Sequence, residues 1–117
     1  MKIGFFELEG WEEQSLRENF PGHELFLSRE KIDDLHVPKE TDFDVLSVFV
    51  DSRMTEGVMS RFSNLKLIAT RSTGYDHIDL SVSAKRGVAV AYVPGYGDNT
   101  VAEFAFGLIL NLTRKLY

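Results

Sequence analysis

With 117 residues, 44% of them hydrophobic, the chain is long enough to bury one core and too short to be expected to hold a second domain. Its 13 basic residues are scattered among 18 acidic ones, for a formal charge of −5, which argues against a nucleic-acid footprint. The lack of cysteine excludes disulfide staples, thiolate metal sites and a cysteine nucleophile, and suits a cytoplasmic location.

The opening MKIGFFELEG turns acidic by its seventh residue and lacks the shape of a signal peptide. Within it Lys2 to Phe6 is a short apolar run of the kind an inner parallel strand shows, ended by the polar Glu7 to Gly10. Trp11 to Asn19 reads as a helix with Trp11, Ser15, Leu16 and Phe20 toward a sheet and Glu12, Glu13, Arg17 and Glu18 toward water. Pro21-Gly22 stops it, because proline cannot extend the hydrogen-bond ladder and glycine takes the turn. His23 to Ser28 is expected to be an edge strand, and Lys31 to Leu35 a helical turn broken by Pro38.

Asp44 to Val50 is β-branched and apolar, most simply a strand buried on both faces, with Asp51-Ser52-Arg53 as its carboxyl-end loop. Thr55 can cap a helix carrying Val58, Met59 and Phe62, before Leu65 to Thr70 starts a fourth strand. Asp79 stands at an N-cap position and Gly87 at a C-cap position around another helix, and Val88 to Val93 makes a fifth strand. Thr100 to Tyr117 closes the chain as a helix that is apolar around nearly its whole circumference, although its longest strongly apolar run, 104–110, is too short to span a bilayer. Such a helix expects partners on more than one side, either another copy of the chain or a further domain.

Strand and helix alternate throughout, which predicts a flavodoxin-like α/β fold: a doubly wound parallel five-stranded sheet of order 2-1-3-4-5, with helices on both faces. In such a sheet ligands lie outside the carboxyl ends of the strands. Two glycine-bearing loops follow apolar strands there, Ser72-Thr73-Gly74-Tyr75 and Pro94 to Asn99, so the segment from Thr70 to Phe104 is the predicted functional region.

The segments LKLIATRSTGYDHIDLSVSAKRGVAVAYVPGY and NTVAEFAFGLIL resemble the D-isomer specific 2-hydroxyacid dehydrogenases, and the Tyr96 loop resembles the D-lactate dehydrogenase branch. The resemblance implies an NAD-dependent oxidoreductase with two domains and an active site in the cleft between them. Residues 1–99 would be the flavodoxin-like substrate domain, and 100–117 an interdomain helix leading to an NAD-binding domain. No Gly-x-Gly-x-x-Gly follows a strand, so the pyrophosphate has no cradle of the usual kind. The family's catalytic arginine, glutamate and histidine would lie further along, so no catalytic role falls to His23, His36 or His77, and the 117 residues alone are expected to be inactive.

What the resemblance does carry over is the grip on a 2-oxo acid's carboxylate. It implies substrate contacts from the backbone amides of Thr73 and Gly74, with Ser72 beside them, Tyr96 approaching the substrate, and Asp51 and Ser52 as the other lip of the cleft. Asn99, Thr100 and Val101 would meet the nicotinamide side of NAD. The expected partners are a small 2-hydroxy or 2-oxo acid and a second copy of the chain, joined as a dimer or other homo-oligomer through the terminal helix; no metal, nucleic acid or membrane is expected. Bland roles are expected for His77 (structural), Asp76 and Asp79 (turn and cap), and Glu103 (helix dipole).

Two other classes share the layout. A signalling receiver domain would use Asp51 as phosphoacceptor, but it needs an acidic pair after the first strand and a lysine where Pro94 stands. A flavodoxin-like electron carrier would need a Ser/Thr/Gly-rich phosphate loop where Glu7-Leu8-Glu9-Gly10 stands.

Overall fold

A computed structural model describes residues 1–116; Tyr117, assigned above to the closing helix, lies outside them. The strands are β1 (Lys2–Phe5), β2 (Glu24–Leu27), β3 (Val45–Val48), β4 (Leu67–Thr70) and β5 (Ala89–Ala91). The helices are α1 (Glu12–Asn19), α2 (Glu56–Met59), α3 (Leu80–Lys85) and α4 (Asp98–Arg114). All strands pair in parallel in the order β2-β1-β3-β4-β5, so the predicted topology holds.

The sheet is covered from two sides because its side chains alternate. Ile3 and Phe5 of β1 point to one face, where Leu16 and Phe20 of the α1 region meet them, and Phe5 and Phe20 sit 5.5 Å apart between ring centroids. Phe6, Leu46, Val48 and Ile68 point to the other face and pack with Val58 and Met59 of α2 and Val82 of α3. Gly4 lies between them with a purpose: a Cβ there would come within 2.9 Å of the Phe6 ring and 3.3 Å of Phe43. Its hydrogen side chain lets these aromatics close over the strand.

The short helices are set by their caps. Thr55 accepts from the Val58 amide at 3.2 Å, and the Asp79 carboxylate accepts from the amides of Ser81 and Val82, both at 3.0 Å. Gly87, just past α3, has φ +69°, a left-handed conformation that glycine adopts without a Cβ clash. Three side chains depart from expectation, Ser15 among them, which is exposed and not turned to the sheet. Trp11 is 79% exposed and stands at the N-cap of α1, which begins at Glu12, while Leu8 joins Ile3 and Phe5 in the core. Glu12 turns back toward the chain instead of water, its Oε2 accepting from the Glu9 amide at 2.7 Å.

Helix α4 stands apart. None of its residues is buried, and Val101, Phe104 and Phe106 are more than two-thirds exposed. Seventeen residues give a rod about 25 Å long, and the radius of gyration is 17.4 Å, against about 13 Å for a compact domain of this size. No helix among the described residues is long and apolar enough to cross a membrane.

Candidate functional site

Because all five strands run the same way, their carboxyl ends collect one set of loops. The turn after β4 and the loop before α4 meet there around an open hollow of about 640 Å³. Its rim includes Ser72, Thr73, Gly74, Tyr96 and Val101, and its apolar wall Val50, Ala102 and Ala105. The predicted Ser72, Thr73, Gly74, Tyr96 and Val101 are thus brought together. The only charged side chain among the lining residues is Asp98.

The turn is tied down by side chains and by its flanks. The Thr73 hydroxyl donates to the Val93 carbonyl at 3.0 Å, and the Val93 amide donates to the Ser72 carbonyl at 3.1 Å. The Ser72 hydroxyl donates to the Gly74 carbonyl at 2.7 Å. Yet among the described residues neither the Thr73 nor the Gly74 N–H donates to any protein acceptor. Two adjacent amides of this turn, on residues at the rim of the hollow, are thus left without a protein acceptor. At Gly74 a Cβ would meet only the Asp76 Oδ2, at 3.8 Å, and φ is not left-handed. The fold therefore does not require glycine there, and the space beside it is open.

Asp51 and Ser52 lie outside the lining of this hollow. Ser52 is fully buried; its Oγ accepts from the Ile32 amide at 3.1 Å and donates to the Glu7 carboxylate. Asp51 is exposed and faces a separate hollow with Glu7, Glu9 and Arg29. Of this turn after β3, Val50 is the residue that lines the hollow, and it borders the separate one as well. Asn99 and Thr100 are exposed outside the hollow's lining; of the three expected cofactor contacts only Val101 reaches it.

Two residues that the sequence did not single out position this end of the sheet. Glu7, at φ 55°, is a non-glycine residue in the left-handed region, a conformation that costs of order 1 kcal/mol or more. Its carboxylate accepts from the Phe49 amide at 2.8 Å, the Asp51 amide at 2.7 Å and the Ser52 hydroxyl, so it holds the loop that carries Val50. Arg71 reaches the ends of β1 and β3: it donates to the carbonyls of Phe6 (2.8 Å) and Glu7 (2.9 Å) and to the Ser47 hydroxyl (3.0 Å). Burial lowers the Arg71 pKa from its ordinary value, partly offset by Glu12 and Glu7. His77 is buried behind the turn, with Nε2 3.1 Å from the Thr70 hydroxyl, and burial lowers its pKa as well.

A dinucleotide's pyrophosphate meets no glycine-rich cradle of the usual kind in this chain. No strand end carries a Gly-x-Gly-x-x-Gly loop, and the acidic Asp98 opens the one long helix. Among the described residues no cluster of three His, Asp or Glu side chains is placed to hold a metal ion.

The sequence profile of the D-isomer specific 2-hydroxyacid dehydrogenase catalytic domain matches residues 10–114. A 2-hydroxyacid dehydrogenase homolog from Zymomonas mobilis is 30% identical over 99% of this chain and 36% of its own length. A glyoxylate reductase from Thermofilum pendens is 43% identical over 64% of the chain and 22% of its own length. Among solved structures, D-lactate dehydrogenase from Aquifex aeolicus, complexed with NAD and lactic acid, superposes with a TM-score of 0.84 at 32% identity, over 97% of this chain and 34% of that one. The chain thus spans well under half the length of the proteins that it matches.

Proposed function

The chain belongs to the D-isomer specific 2-hydroxyacid dehydrogenase family, and from that premise we propose that it supplies the substrate-carboxylate side of an enzyme transferring hydride between NAD(H) and a 2-hydroxy or 2-oxo acid, with lactate and pyruvate as the representative pair. The observation that carries this reading is the pair of unspent amides at Thr73 and Gly74 on the rim of the hollow. A carboxylate there takes two charge-assisted N–H···O bonds, which are shorter and stronger than neutral ones. Tyr96 stands on the same rim, and Val50, Ala102 and Ala105 offer the acid's alkyl end an apolar wall. The receiver reading, with Asp51 as phosphoacceptor, yields to the family assignment.

The hollow has no cationic side chain of its own and holds Asp98 at its edge, so two neutral amides must bind the acid weakly, with dissociation constants in the millimolar range, equivalent to about 4 kcal/mol. Tight binding and turnover then need a cation, an acid/base group and a dinucleotide from a second unit. NAD chemistry, a hydride at the substrate's C2, belongs to that unit; the present residues bind and orient the acid, with Asn99, Thr100 and Val101 on the side that the nicotinamide would approach. The exposed apolar surface of α4 suits contact with that unit or with a second copy of the chain.

The test is NADH consumption with pyruvate, glyoxylate and longer 2-oxo acids. The 117-residue chain alone should be inert, whereas a polypeptide joining it to a family nucleotide-binding unit should turn over, and should lose kcat/KM when Gly74 is replaced. Turnover unaffected by replacements at Gly74 and Tyr96 would refute the assigned site.

A further inference from the structure

Behind the turn lies a line of buried polar side chains that substrate binding as described above does not use. Thr70 is 2% exposed, Ser72 3% and His77 8%, so each must find its hydrogen-bond partners within the protein. The Thr70 and Ser72 hydroxyl oxygens are 2.6 Å apart, and His77 Nε2 lies 3.1 Å from the Thr70 oxygen. The far end of the line is the Gly74 carbonyl, 2.7 Å from the Ser72 hydroxyl.

Counting hydrogens settles the direction of every bond. A carbonyl can only accept, so the single hydroxyl hydrogen of Ser72 goes to Gly74. The contact between Thr70 and Ser72 must then use the hydrogen of Thr70, which leaves Thr70 none for the imidazole. His77 therefore carries its proton on Nε2 and donates to Thr70. The sequence of donors is His77, Thr70, Ser72, ending on the Gly74 carbonyl. A carbonyl held in this way restrains the Gly74–Tyr75 peptide plane and, through the Gly74 backbone, the adjoining peptide that carries the Gly74 N–H.

We propose that Thr70, Ser72 and His77 form a directional hydrogen-bond relay that preorganises the Thr73–Gly74 amides for a carboxylate, with His77 as a positioning residue held in the Nε2–H tautomer. The relay rests on the carboxylate-binding reading above, and gives His77 a task other than proton exchange with substrate. Preorganisation matters because a receptor that must first order its donors loses that free energy from binding. The wiring also explains why a histidine can sit buried here: burial disfavours its charged form, and the neutral form still supplies the one donor needed.

The experiment has two arms on the 117-residue chain. In the first, imidazole ¹⁵N correlation spectra of the chain without ligand read the His77 tautomer; protonated Nε2 and bare Nδ1 are expected at pH 7.5. In the second, pyruvate is titrated against the wild type, Thr70→Val, which keeps the shape and cuts the relay, and Thr70→Ser, which keeps the hydroxyl. One lost hydrogen bond should weaken binding roughly fivefold to tenfold in Thr70→Val, with Thr70→Ser restoring it. A proton on Nδ1, or Thr70→Val binding as tightly as a wild type that does bind, overturns the relay and leaves the proposed function standing. A wild type blind to pyruvate overturns the proposed function and the relay with it.

Discussion

Replacing Gly74 by alanine separates a turn glycine from a ligand glycine. The added Cβ meets nothing nearer than the Asp76 carboxylate oxygen at 3.8 Å, an ordinary contact, and the backbone there is not left-handed. Alanine narrows the unfolded ensemble, so the fold should gain about 0.4–1 kcal/mol, or roughly 2–5 °C in Tm for a domain of this size. Binding should move the other way. A methyl group beside the two unspent amides stands where the acid's oxygens approach, and the loss of one charge-assisted hydrogen bond, about 1.5–3 kcal/mol, weakens pyruvate more than tenfold. Urea denaturation gives the first quantity and an NMR titration the second. A Gly74→Ala protein that is clearly less stable, or that binds pyruvate as the wild type does, would refute the reasoning.

Glu7→Gln keeps size but removes the charge that accepts from Phe49, Asp51 and the buried Ser52; a destabilisation of about 1–3 kcal/mol is expected by chemical denaturation, and a neutral result would remove Glu7 as the clamp of that loop. Asp79 lies below the ordinary carboxylate value of 3.8, chiefly through the Val82 amide, and Asp44 chiefly through Lys66. The unfolded chain therefore takes up these protons first, so stability is full above about pH 4 and falls as pH drops through the folded values; Asp79→Asn should flatten that acid slope, and an unchanged slope would contradict the assignment. His77 lies below 6.5, chiefly through burial and modulated by Glu7, Arg53 and Asp76, so its share of stability is complete above pH 6.5 and is lost on acidification below it. A His77→Gln protein should lack that segment of the urea-midpoint profile; retaining it would place the titration elsewhere. Finally, Phe104, Ile109 and Leu112 expose more than half their surface, so sedimentation should show concentration-dependent association that Phe104→Glu with Leu112→Glu abolishes; a monomer at high concentration would remove the homo-oligomer.

Local signals were the ones the sequence carried well. Thr55 and Asp79 cap helices through atoms two or three residues away, and Gly87 ends a helix by its own φ, so residue type and neighbours suffice. The β-branched run of β3 and the alternation of elements likewise give topology through general rules of handedness and packing. The Ser72 to Gly74 turn was visible because small residues after a strand are a local pattern too. What escaped depends on distance. Glu7 meets its partners 42 to 45 residues away and Arg71 meets β1 64 and 65 residues away, and no window along the chain contains both members. Asp51 and Ser52 lie outside the hollow that Val50 lines: polarity alone suggests a site there, whereas Ser52 is drawn inward by Ile32 and Glu7, 20 and 45 residues away. The size of Trp11 suggests core, but it stands one residue before α1 begins and is exposed.

Residue-resolved titration of the ¹⁵N-labelled chain with pyruvate tests the central claim most directly. Saturable shifts greatest at the Thr73 and Gly74 amides, with smaller ones at Tyr96, are the expected result. Unmoved Thr73 and Gly74 resonances at high pyruvate, or shifts centred on Asp51 and Ser52, would contradict it.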